Sequence, residues 1–277
     1  MKTLFLGTSS FAVPSLRVVA AKTDLAGIVT QPDRPSGRGM KLQPSPVKQA
    51  ALELGLAVHE PARLREFAAK MAGGAFDLFV LASYGRILPE ALLALPRLGS
   101  LNVHPSLLPK YRGATPIQSA IRSGERETGV SIMLMDAGLD TGDVVLAQRV
   151  AIGESETYGE LHDRLAETGA ALLGRAIDLA AQGALAGAPQ RGEPIFTQPM
   201  RKEDLTIDLA WPPQRVVDAV RALAPQPGAR ALVDGEIVKV LRAHVASDGT
   251  LAVDEVVAPN RPKMSWDAYQ RSRRDRA

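Results

Sequence analysis

Short apolar runs alternate with helical patterns along the first part of the chain. Residues 3–6 are an apolar run, residues 11–21 have apolar side chains at helical spacing, and residues 76–82 are apolar with one exception. A nearly continuous apolar run is typical of a parallel strand that helices cover on both faces. The alternation predicts an α/β fold with a mostly parallel sheet, right-handed crossovers and helices on both faces.

A polar stretch that contains glycine and proline, residues 187–199, follows this pattern. We therefore predict two domains, residues 1–195 and residues 196–277. In the second domain, two alternating runs flank Asp234-Gly235, which predicts a hairpin in a small β-rich domain. The basic residues 271–277 are expected to form a frayed terminus.

The composition excludes several classes of protein. None of the 277 residues is cysteine, so a disulfide framework and a thiolate metal site are excluded. The first apolar run is too short for a signal peptide, and no run approaches the length of a membrane span. We expect a cytoplasmic protein, and the spacing of its four histidines predicts no metal site.

An amide and an imidazole come at the end of a predicted buried strand over residues 98–104. Because strand side chains alternate between faces, Asn102 and His104 share one face. Pro105 cannot continue a central strand, which leaves His104 at the carboxyl end, where open α/β sheets bind ligands. An amide donor beside an imidazole suits acyl transfer by direct attack of an external amine on an acyl carbon.

A second segment, Asp-Ala-Gly-Leu-Asp-Thr-Gly at residues 136–142, joins two predicted strands. Its glycines allow a close approach to the backbone, and Asp140 is the candidate carboxylate that orients His104. Two structural interpretations stay open. His104 could be a structural hydrogen-bonding residue, and Asp136 could brace its own loop.

The turn after the first strand is Gly-Thr-Ser-Ser at residues 7–10, and it lacks a dinucleotide-binding fingerprint. Its hydroxyls and the free amides of the following helix could hold an anion. The alternative interpretation is that Ser10 caps that helix.

A long segment rich in proline and glycine follows the second predicted strand. Residues 31–46 contain four prolines and two glycines, so no regular structure is expected there. A loop of this length inside an α/β unit is usually functional, and its positive charge favours a polyanionic partner, although a solvated surface loop is the alternative. The cationic residues of the region 31–48 are Arg34, Arg38, Lys41 and Lys48.

Three motifs resemble the folate-dependent formyltransferases. They are Asn-Val-His-Pro-Ser-Leu-Leu-Pro at residues 102–109, Tyr-Arg-Gly-Ala-Thr-Pro-Ile at 111–117 and Asp-x-Gly-x-Asp-x-Gly at 136–142. The resemblance covers most of residues 1–210 and implies a Rossmann-like catalytic domain that uses 10-formyltetrahydrofolate and no metal. It implies a catalytic trio of Asn102, His104 and Asp140. The folate-binding residues that it implies are Arg86, Ile87, Leu88, Ser106, Leu107, Leu108, Pro109 and Asp136.

Two further motifs resemble the branch of this family whose acceptor is the amine of methionine on initiator tRNA. They are Gly-Thr-Ser-Ser-Phe-Ala-Val-Pro at residues 7–14 and Gln-Pro-Asp-Arg-Pro-Ser-Gly-Arg-Gly at residues 31–39. The second corresponds to an insertion that enters the acceptor arm of the tRNA. This implies tRNA contacts from Arg34, Arg38 and Lys41, and we expect a monomer.

The C-terminal part departs from the family pattern. The family has an OB-like barrel there, but after Ala246 this chain quickly reaches residues 257–265, which come near the end of the family's domain. About two strands are therefore expected to be missing, with a reduced or open barrel and a weaker nonspecific affinity for tRNA.

Two other functions stay open. A formyltransferase that acts on a small amine, such as an amino-sugar nucleotide, shares the catalytic trio but needs no cationic loop. A noncatalytic RNA-binding protein on the same scaffold needs no catalytic trio.

Overall fold

The computed structural model of the chain describes residues 1–36 and 41–274. The strands are β1 (Lys2–Gly7), β2 (Asp24–Val29), β3 (Arg34–Ser36), β4 (Lys41–Gln43), β5 (Val58–His59), β6 (Leu78–Ala82), β7 (Ser100–His104), β8 (Arg112–Gly113), β9 (Glu127–Leu134), β10 (Val144–Ala151), β11 (Phe196–Thr197), β12 (Thr206–Ile207), β13 (Ala229–Val233), β14 (Glu236–Val245), β15 (Leu251–Val257) and β16 (Lys263–Ser265). The α-helices are α1 (Ala12–Lys22), α2 (Pro46–Glu53), α3 (Leu64–Met71), α4 (Glu90–Leu93), α5 (Pro116–Arg122), α6 (Tyr158–Ala181), α7 (Pro213–Leu223) and α8 (Trp266–Arg274). Within the described ranges, no helix combines the length and the apolar character that crossing a membrane would need.

The chain divides into two compact units, each built from three segments. The first unit contains Met1–Arg112, Gly129–Val150 and Asp163–Phe196. The second contains Gly113–Thr128, Ala151–His162 and Thr197–Ala277.

Two segments that precede residue 195 thus cluster with the C-terminal residues. Within the second unit, α5 packs against α7, and the Arg221 guanidinium donates hydrogen bonds to the carbonyl oxygens of Gly153 and Glu156. The division into domains at residues 1–195 and 196–277 stays a prediction.

A seven-stranded sheet forms the centre of the first unit, in the order β10-β9-β7-β6-β1-β2-β5. Five neighbouring strands of this order, β7, β6, β1, β2 and β5, pair in parallel. This confirms the mostly parallel sheet. β9 pairs antiparallel with β7, so that Leu134 lies opposite Leu101 and Ser131 lies opposite His104. The carboxyl end of β9 is therefore beside the amino end of β7.

Different helices cover the two faces of this sheet, as predicted. On one face, Phe67 of α3 and Leu92 of α4 belong to an apolar cluster that includes Leu81 of β6. On the other face, α6 lies so close to β7 that a Cβ on Gly169 would be 2.7 Å from Cγ1 of Val103. Glycine at this position lets the helix approach the sheet closely.

The segment after β2 contains a short hairpin, so the expectation that it has no regular structure is wrong. β3 and β4 pair antiparallel, with Arg34 opposite Gln43 and Ser36 opposite Lys41. Proline is excluded from central strands but is tolerated in edge strands, and both strands of this ribbon are edges. Arg38 belongs to residues 37–40, which lie outside the described residues.

Lys48 ties the start of this hairpin segment to the rest of the first unit. Its Nζ lies 2.8 Å from Asp33 Oδ2 and 2.8 Å from Glu60 Oε2. Hydrogen bonds to Asp33 and then to Glu60 raise the pKa of Lys48 above its usual value. Of the four cations of this region, Lys48 is thus already paired with two carboxylates.

A five-stranded sheet forms the second unit, in the order β12-β13-β14-β15-β16. The predicted hairpin is confirmed, because β13 and β14 are joined by Asp234 and Gly235 with φ values of 46° and 82°. Positive φ at both central residues is what a type I′ hairpin turn requires.

β15 and β16 lie after residue 246, and the expectation that about two strands of the family's barrel are missing stays a prediction. β15 pairs with β14 and with β16, so the sheet continues after residue 246. The pairing of β14 with β15 is irregular on both sides of Arg242. Such irregularities break the period-two alternation, which is why the strand pattern of residues 251–257 is weak.

Helices α7 and α8 complete the apolar core of the second unit. Val216 and Val220 of α7 and Tyr269 of α8 belong to one cluster with buried residues of the sheet such as Val238 and Val256. The C-terminal helix is thus part of the core.

The prediction of a frayed basic tail is wrong for residues 271–274, which form the last turn of α8. The Arg273 guanidinium donates hydrogen bonds to the Val233 carbonyl oxygen and to the Tyr269 hydroxyl. Residues 275–277 lie outside the described residues.

Replacing Tyr269 with alanine tests whether α8 belongs to this core. Tyr269 is fully buried, so loss of its ring should lower the free energy of unfolding by about 3 kcal/mol. Tyr269→Phe keeps the ring and loses the hydroxyl's bond to Glu236, which should cost about 1 kcal/mol. Urea denaturation followed by the fluorescence of Trp211 and Trp266, both in the second unit, measures these changes. A loss for Tyr269→Ala no larger than that for Tyr269→Phe would show that α8 is loosely attached.

Candidate active site

β7 presents an amide and an imidazole on one face of the central sheet. Asn102 lies opposite Leu81 of β6, and Leu81 points towards α3 and α4. Val103 points to the opposite face, against α6, so Asn102 and His104 share the α3 side of the sheet. Asn102 is half-buried, and His104 is buried. The shared face that strand periodicity predicts is therefore present.

Hydroxyl groups hold the turn that follows β7. The Ser131 hydroxyl of β9 donates a hydrogen bond to the Ser106 carbonyl oxygen (2.8 Å) and accepts one from the Leu108 N–H (3.2 Å). The Ser106 hydroxyl donates to the Lys110 carbonyl oxygen at 2.6 Å. These bonds define the backbone path from β7 to Tyr111.

The turn ends with a backbone carbonyl group that faces the imidazole. Tyr111 has a buried side chain and a φ of 60°, and its carbonyl oxygen lies 2.9 Å from His104 Nε2. A carbonyl oxygen can only accept a hydrogen bond, so Nε2 carries a proton. In the neutral imidazole the lone pair is then on Nδ1.

A carboxylate faces the other nitrogen of the ring. Asp140 Oδ2 lies 3.7 Å from His104 Nδ1, and the two side chains are 14% and 5% exposed. At this distance the carboxylate can orient the imidazole ring. The structure thus brings the predicted trio of Asn102, His104 and Asp140 together.

The loop that carries Asp140 reaches back along the sheet to meet His104. It leaves β9 beside the amino end of β7, where the Met135 N–H donates to the Ser100 carbonyl oxygen. A Cβ on Gly142 would overlap the Leu134 carbonyl group, so only glycine fits where the loop returns to the sheet. The antiparallel β9 makes this longer path necessary.

Asp136 braces the same loop from within. Its Oδ1 accepts hydrogen bonds from the Gly138 N–H at 3.0 Å and from the Thr141 hydroxyl at 2.6 Å. This is the structural interpretation that the sequence leaves open. A contact between Asp136 and folate stays a prediction.

An open groove of about 560 Å³ lies beside the segment that follows β6. The Arg86 guanidinium donates to the carbonyl oxygens of Pro61 and Ala62 at 2.9 and 3.0 Å, and it thereby links the two walls of the groove. The groove contains three of the predicted folate-binding residues. Its lining residues are Ala62, Arg63, Leu64, Arg65, Glu66, Arg86, Ile87, Leu88 and Pro89.

Four other predicted folate-binding residues lie in the turn after β7 and do not line this groove. The side chains of Ser106 and Pro109 are buried, whereas those of Leu107 and Leu108 are half-buried. Because the Ser106 hydroxyl is used within the turn, a ligand would meet this turn through its backbone or through the two leucines.

The turn after β1 does not support the interpretation that Ser10 caps helix α1. Phe11, and not Ser10, is the N-cap residue of α1, and among the described residues no side chain caps this helix. The hydroxyls of Thr8 and Ser9 donate to the Tyr84 carbonyl oxygen and to the Ser83 hydroxyl. They connect the ends of β1 and β6, and anion binding at this turn stays a prediction.

The predicted tRNA-binding residues are placed only in part. Arg34 lies in β3 and Lys41 lies in β4, on the two strands of the hairpin. Arg38 lies outside the described residues.

Two features of the site have little or no signature in the sequence. Ser131 holds the turn after β7, and the only hint of this role in the sequence is a serine among the apolar residues of β9. The contact from Tyr111 is made by its backbone carbonyl group, which any residue type provides.

The arrangement suits acyl transfer to an amine. A half-buried amide and an imidazole can stabilise negative charge on an acyl oxygen, and the imidazole with Asp140 can move the amine's proton. The site therefore defines a candidate acyl-group transferase.

Two sequence families match this chain. The family described as formyl transferase matches residues 1–177, and the family described as formyl transferase, C-terminal domain, matches residues 199–261. The first match spans more than half of the chain and includes Asn102, His104 and Asp140. The chain therefore belongs to the formyl transferase family.

Relatives within this family are similar over most of their length. The methionyl-tRNA formyltransferase of Pelotomaculum thermopropionicum is 44% identical over 251 residues, which are 90% of this chain and 80% of the relative. The methionyl-tRNA formyltransferase of Paracidovorax citrulli is 48% identical over 253 residues, which are 87% of this chain and 77% of the relative. Within the family, this chain thus resembles the methionyl-tRNA formyltransferases.

Solved structures share the fold at lower identity. The methionyl-tRNA formyltransferase from Clostridium thermocellum has a TM-score of 0.63 at 16% identity and covers 93% of this chain and 99% of its own. An N-formyltransferase from Helicobacter canadensis, in complex with folinic acid and dTDP-3-aminofucose, has a TM-score of 0.67 at 19% identity and covers 89% and 88%. At these identities the likeness shows the Rossmann-like fold alone.

The tautomer of His104 is a direct test of this geometry. In neutral imidazole, Nε2 should carry the proton because it faces the Tyr111 carbonyl oxygen. Long-range proton–nitrogen correlation spectra of labelled protein at high pH distinguish the two tautomers. A His104→Gln variant assigns the signal among the four histidines. Protonation of Nδ1 as the dominant neutral form would contradict the hydrogen bond to Tyr111.

Proposed function

We propose that this chain transfers the formyl group of 10-formyltetrahydrofolate to the amino group of methionine on initiator tRNA, for translation initiation. The observation that carries the proposal is the placement of His104 between the Tyr111 carbonyl oxygen and Asp140, on the same face as Asn102. Membership of the formyl transferase family supports the donor, and the relatives from two organisms support the acceptor.

In the proposed reaction, Asn102 stabilises the negative charge that develops on the formyl oxygen, and His104 adds to this once its Nδ1 is protonated. A preorganised amide donor of this kind contributes about 3 kcal/mol at the transition state. Because Nε2 of His104 is committed to the Tyr111 carbonyl oxygen, Nδ1 is the nitrogen that exchanges protons.

Asp140 orients the ring and stabilises its positive charge once Nδ1 is protonated. The methionine amine forms the new carbon–nitrogen bond and gives up a proton to Nδ1. The bond between the formyl carbon and the donor's nitrogen breaks, and that nitrogen receives a proton from the His104–Asp140 pair. Protons balance, and the protein returns to its initial state.

The folate donor supplies the formyl carbon. The groove lined by Arg86, Ile87 and Leu88 has a volume within the range of small-molecule sites, so it can accept a ring system. We propose that this groove, the turn with Leu107 and Leu108, and the loop that begins at Asp136 bind the donor. Ser106 and Pro109 would then support the turn from its buried side.

We propose that the β3–β4 hairpin contacts the tRNA backbone through Arg34, Arg38 and Lys41. Cationic residues along a two-stranded ribbon can follow a line of phosphates. Lys48 is left out of this set because it is held by Asp33 and Glu60. The proposed enzyme acts as a monomer in the cytoplasm, where initiator tRNA is used.

Formyl transfer to alternative acceptors tests this proposal. The protein is incubated with 10-formyltetrahydrofolate and either charged initiator tRNA or an amino-sugar nucleotide, and the formylated product is measured. We expect transfer to the methionyl amine and none to the sugar amine.

Transfer to the sugar nucleotide without transfer to tRNA would contradict the acceptor and favour a small-amine formyltransferase. RNA binding without any transfer, together with no calorimetric binding of a tetrahydrofolate analogue, would contradict the enzyme and favour the noncatalytic alternative. The cationic hairpin argues against the first outcome, and the placement of Asp140 beside His104 argues against the second.

A further inference from the structure

The segment after α6, where the sequence predicts the domain boundary, carries a glutamine whose side chain lies against the Asp140 loop. We infer that Gln190 is a positioning residue that holds Asp140 at its distance from His104. This inference rests on the proposed function, because it gives Gln190 a role in the same reaction. All of the residues involved belong to the first unit.

Both hydrogen-bonding ends of the Gln190 amide are used. Its Nε2 donates to the carbonyl oxygens of Asp140 and Gly142, each at 2.8 Å. Its Oε1 accepts from Nε and Nη2 of Arg112 at 3.1 and 2.7 Å. One side chain therefore fixes the backbone on both sides of Thr141 and is itself fixed by a guanidinium.

The orientation of this amide follows from the chemistry of its partners. Carbonyl oxygens can only accept hydrogen bonds, and a guanidinium can only donate them. If the amide were reversed, its NH₂ group would face Arg112 and its oxygen would face two carbonyl oxygens. The Gln190 contacts are thus specific for a side chain with a donor at one end and an acceptor at the other.

Arg112 connects this arrangement to the other side of the imidazole. It directly follows Tyr111, whose carbonyl oxygen binds His104 Nε2. The Arg112 N–H donates to the Ile195 carbonyl oxygen at 2.8 Å, so the backbone at Arg112 is also held in place. Gln190 therefore links the segments that carry the two acceptors of His104, and this link holds both acceptors at their distances from the ring.

The Asp140 loop needs such a support from outside. Residues 136–139 are exposed, and Leu139 is 53% exposed, so the described side chains of this part gain little from apolar burial. The internal brace from Asp136 shapes the loop but does not connect it to Arg112. Loops with few buried contacts are the segments that open most easily.

Gln190→Glu is the most selective change. The glutamate keeps the length of the side chain and the contact with Arg112, but it removes both donors and places a carboxylate oxygen against two carbonyl oxygens. Because Asp140 then loses its fixed position, the single-turnover rate with saturating substrates should fall by about 10- to 100-fold. The KM for tRNA should change less than twofold, since the Gln190 contacts involve none of the residues proposed to bind tRNA.

Gln182→Glu is the matched control. Gln182 lies just after α6 on the exposed surface, so the same change of charge there should leave the rate unchanged. Melting temperatures of both variants are measured, and rates are compared well below the lower one, where all of the protein is folded.

A double-mutant cycle with Asp140→Asn separates positioning from general loosening. If Gln190 acts through Asp140, adding Gln190→Glu to Asp140→Asn should lower the single-turnover rate by less than about twofold further. Enzyme in excess over tRNA keeps the slow rates measurable. An equal loss in both backgrounds, or a Gln190→Glu rate within twofold of the wild type, would overturn the inference. A wild-type protein without formyl transfer would overturn the proposed function instead, so the two failures are distinct.

Discussion

The imidazole of His104 lies between two acceptors, and the rest of the proposed site depends on this placement. The Tyr111 carbonyl oxygen determines which nitrogen carries the first proton, and the Asp140 carboxylate lies where a second proton would be taken up. The parts of the first unit described above serve this geometry. β7 sets the shared face with Asn102, Ser131 holds the turn to Tyr111, and the Asp140 loop returns along the sheet.

Much of the fold could be predicted because it repeats. Alternating strands and helices predict the parallel sheet, and the period of two along β7 places Asn102 and His104 together. The Asp234-Gly235 turn is predictable because type I′ geometry favours those residue types. What could not be predicted lacks such a period. The β3–β4 hairpin contains Pro35, the pairing of β15 is irregular beside Arg242, and α8 is short and highly charged although Tyr269 anchors it.

The candidate site likewise has a part that the sequence predicts and a part that only the fold reveals. Residue types identify Asn102, His104 and Asp140, but the antiparallel direction of β9 has no local signature, and it decides how Asp140 approaches the ring. Lys48 looks like a free cation in sequence, whereas two carboxylates distant in sequence bind it. The Tyr111 contact is made by a backbone carbonyl group, and the Gln190 side-chain amide binds backbone carbonyl groups, so only the folded chain shows these contacts.

The most direct test of this account is the rate of formyl transfer by Asn102→Ala and His104→Ala under single-turnover conditions. Loss of one donor to the formyl oxygen should slow Asn102→Ala by about 10²- to 10³-fold, with folate binding retained. His104→Ala should be slowed by at least as much, because it also loses the proton carrier. His244→Ala, an exposed histidine of the second unit, should react at the wild-type rate. Folded Asn102→Ala and His104→Ala proteins that transfer formyl at near wild-type rates would contradict the account.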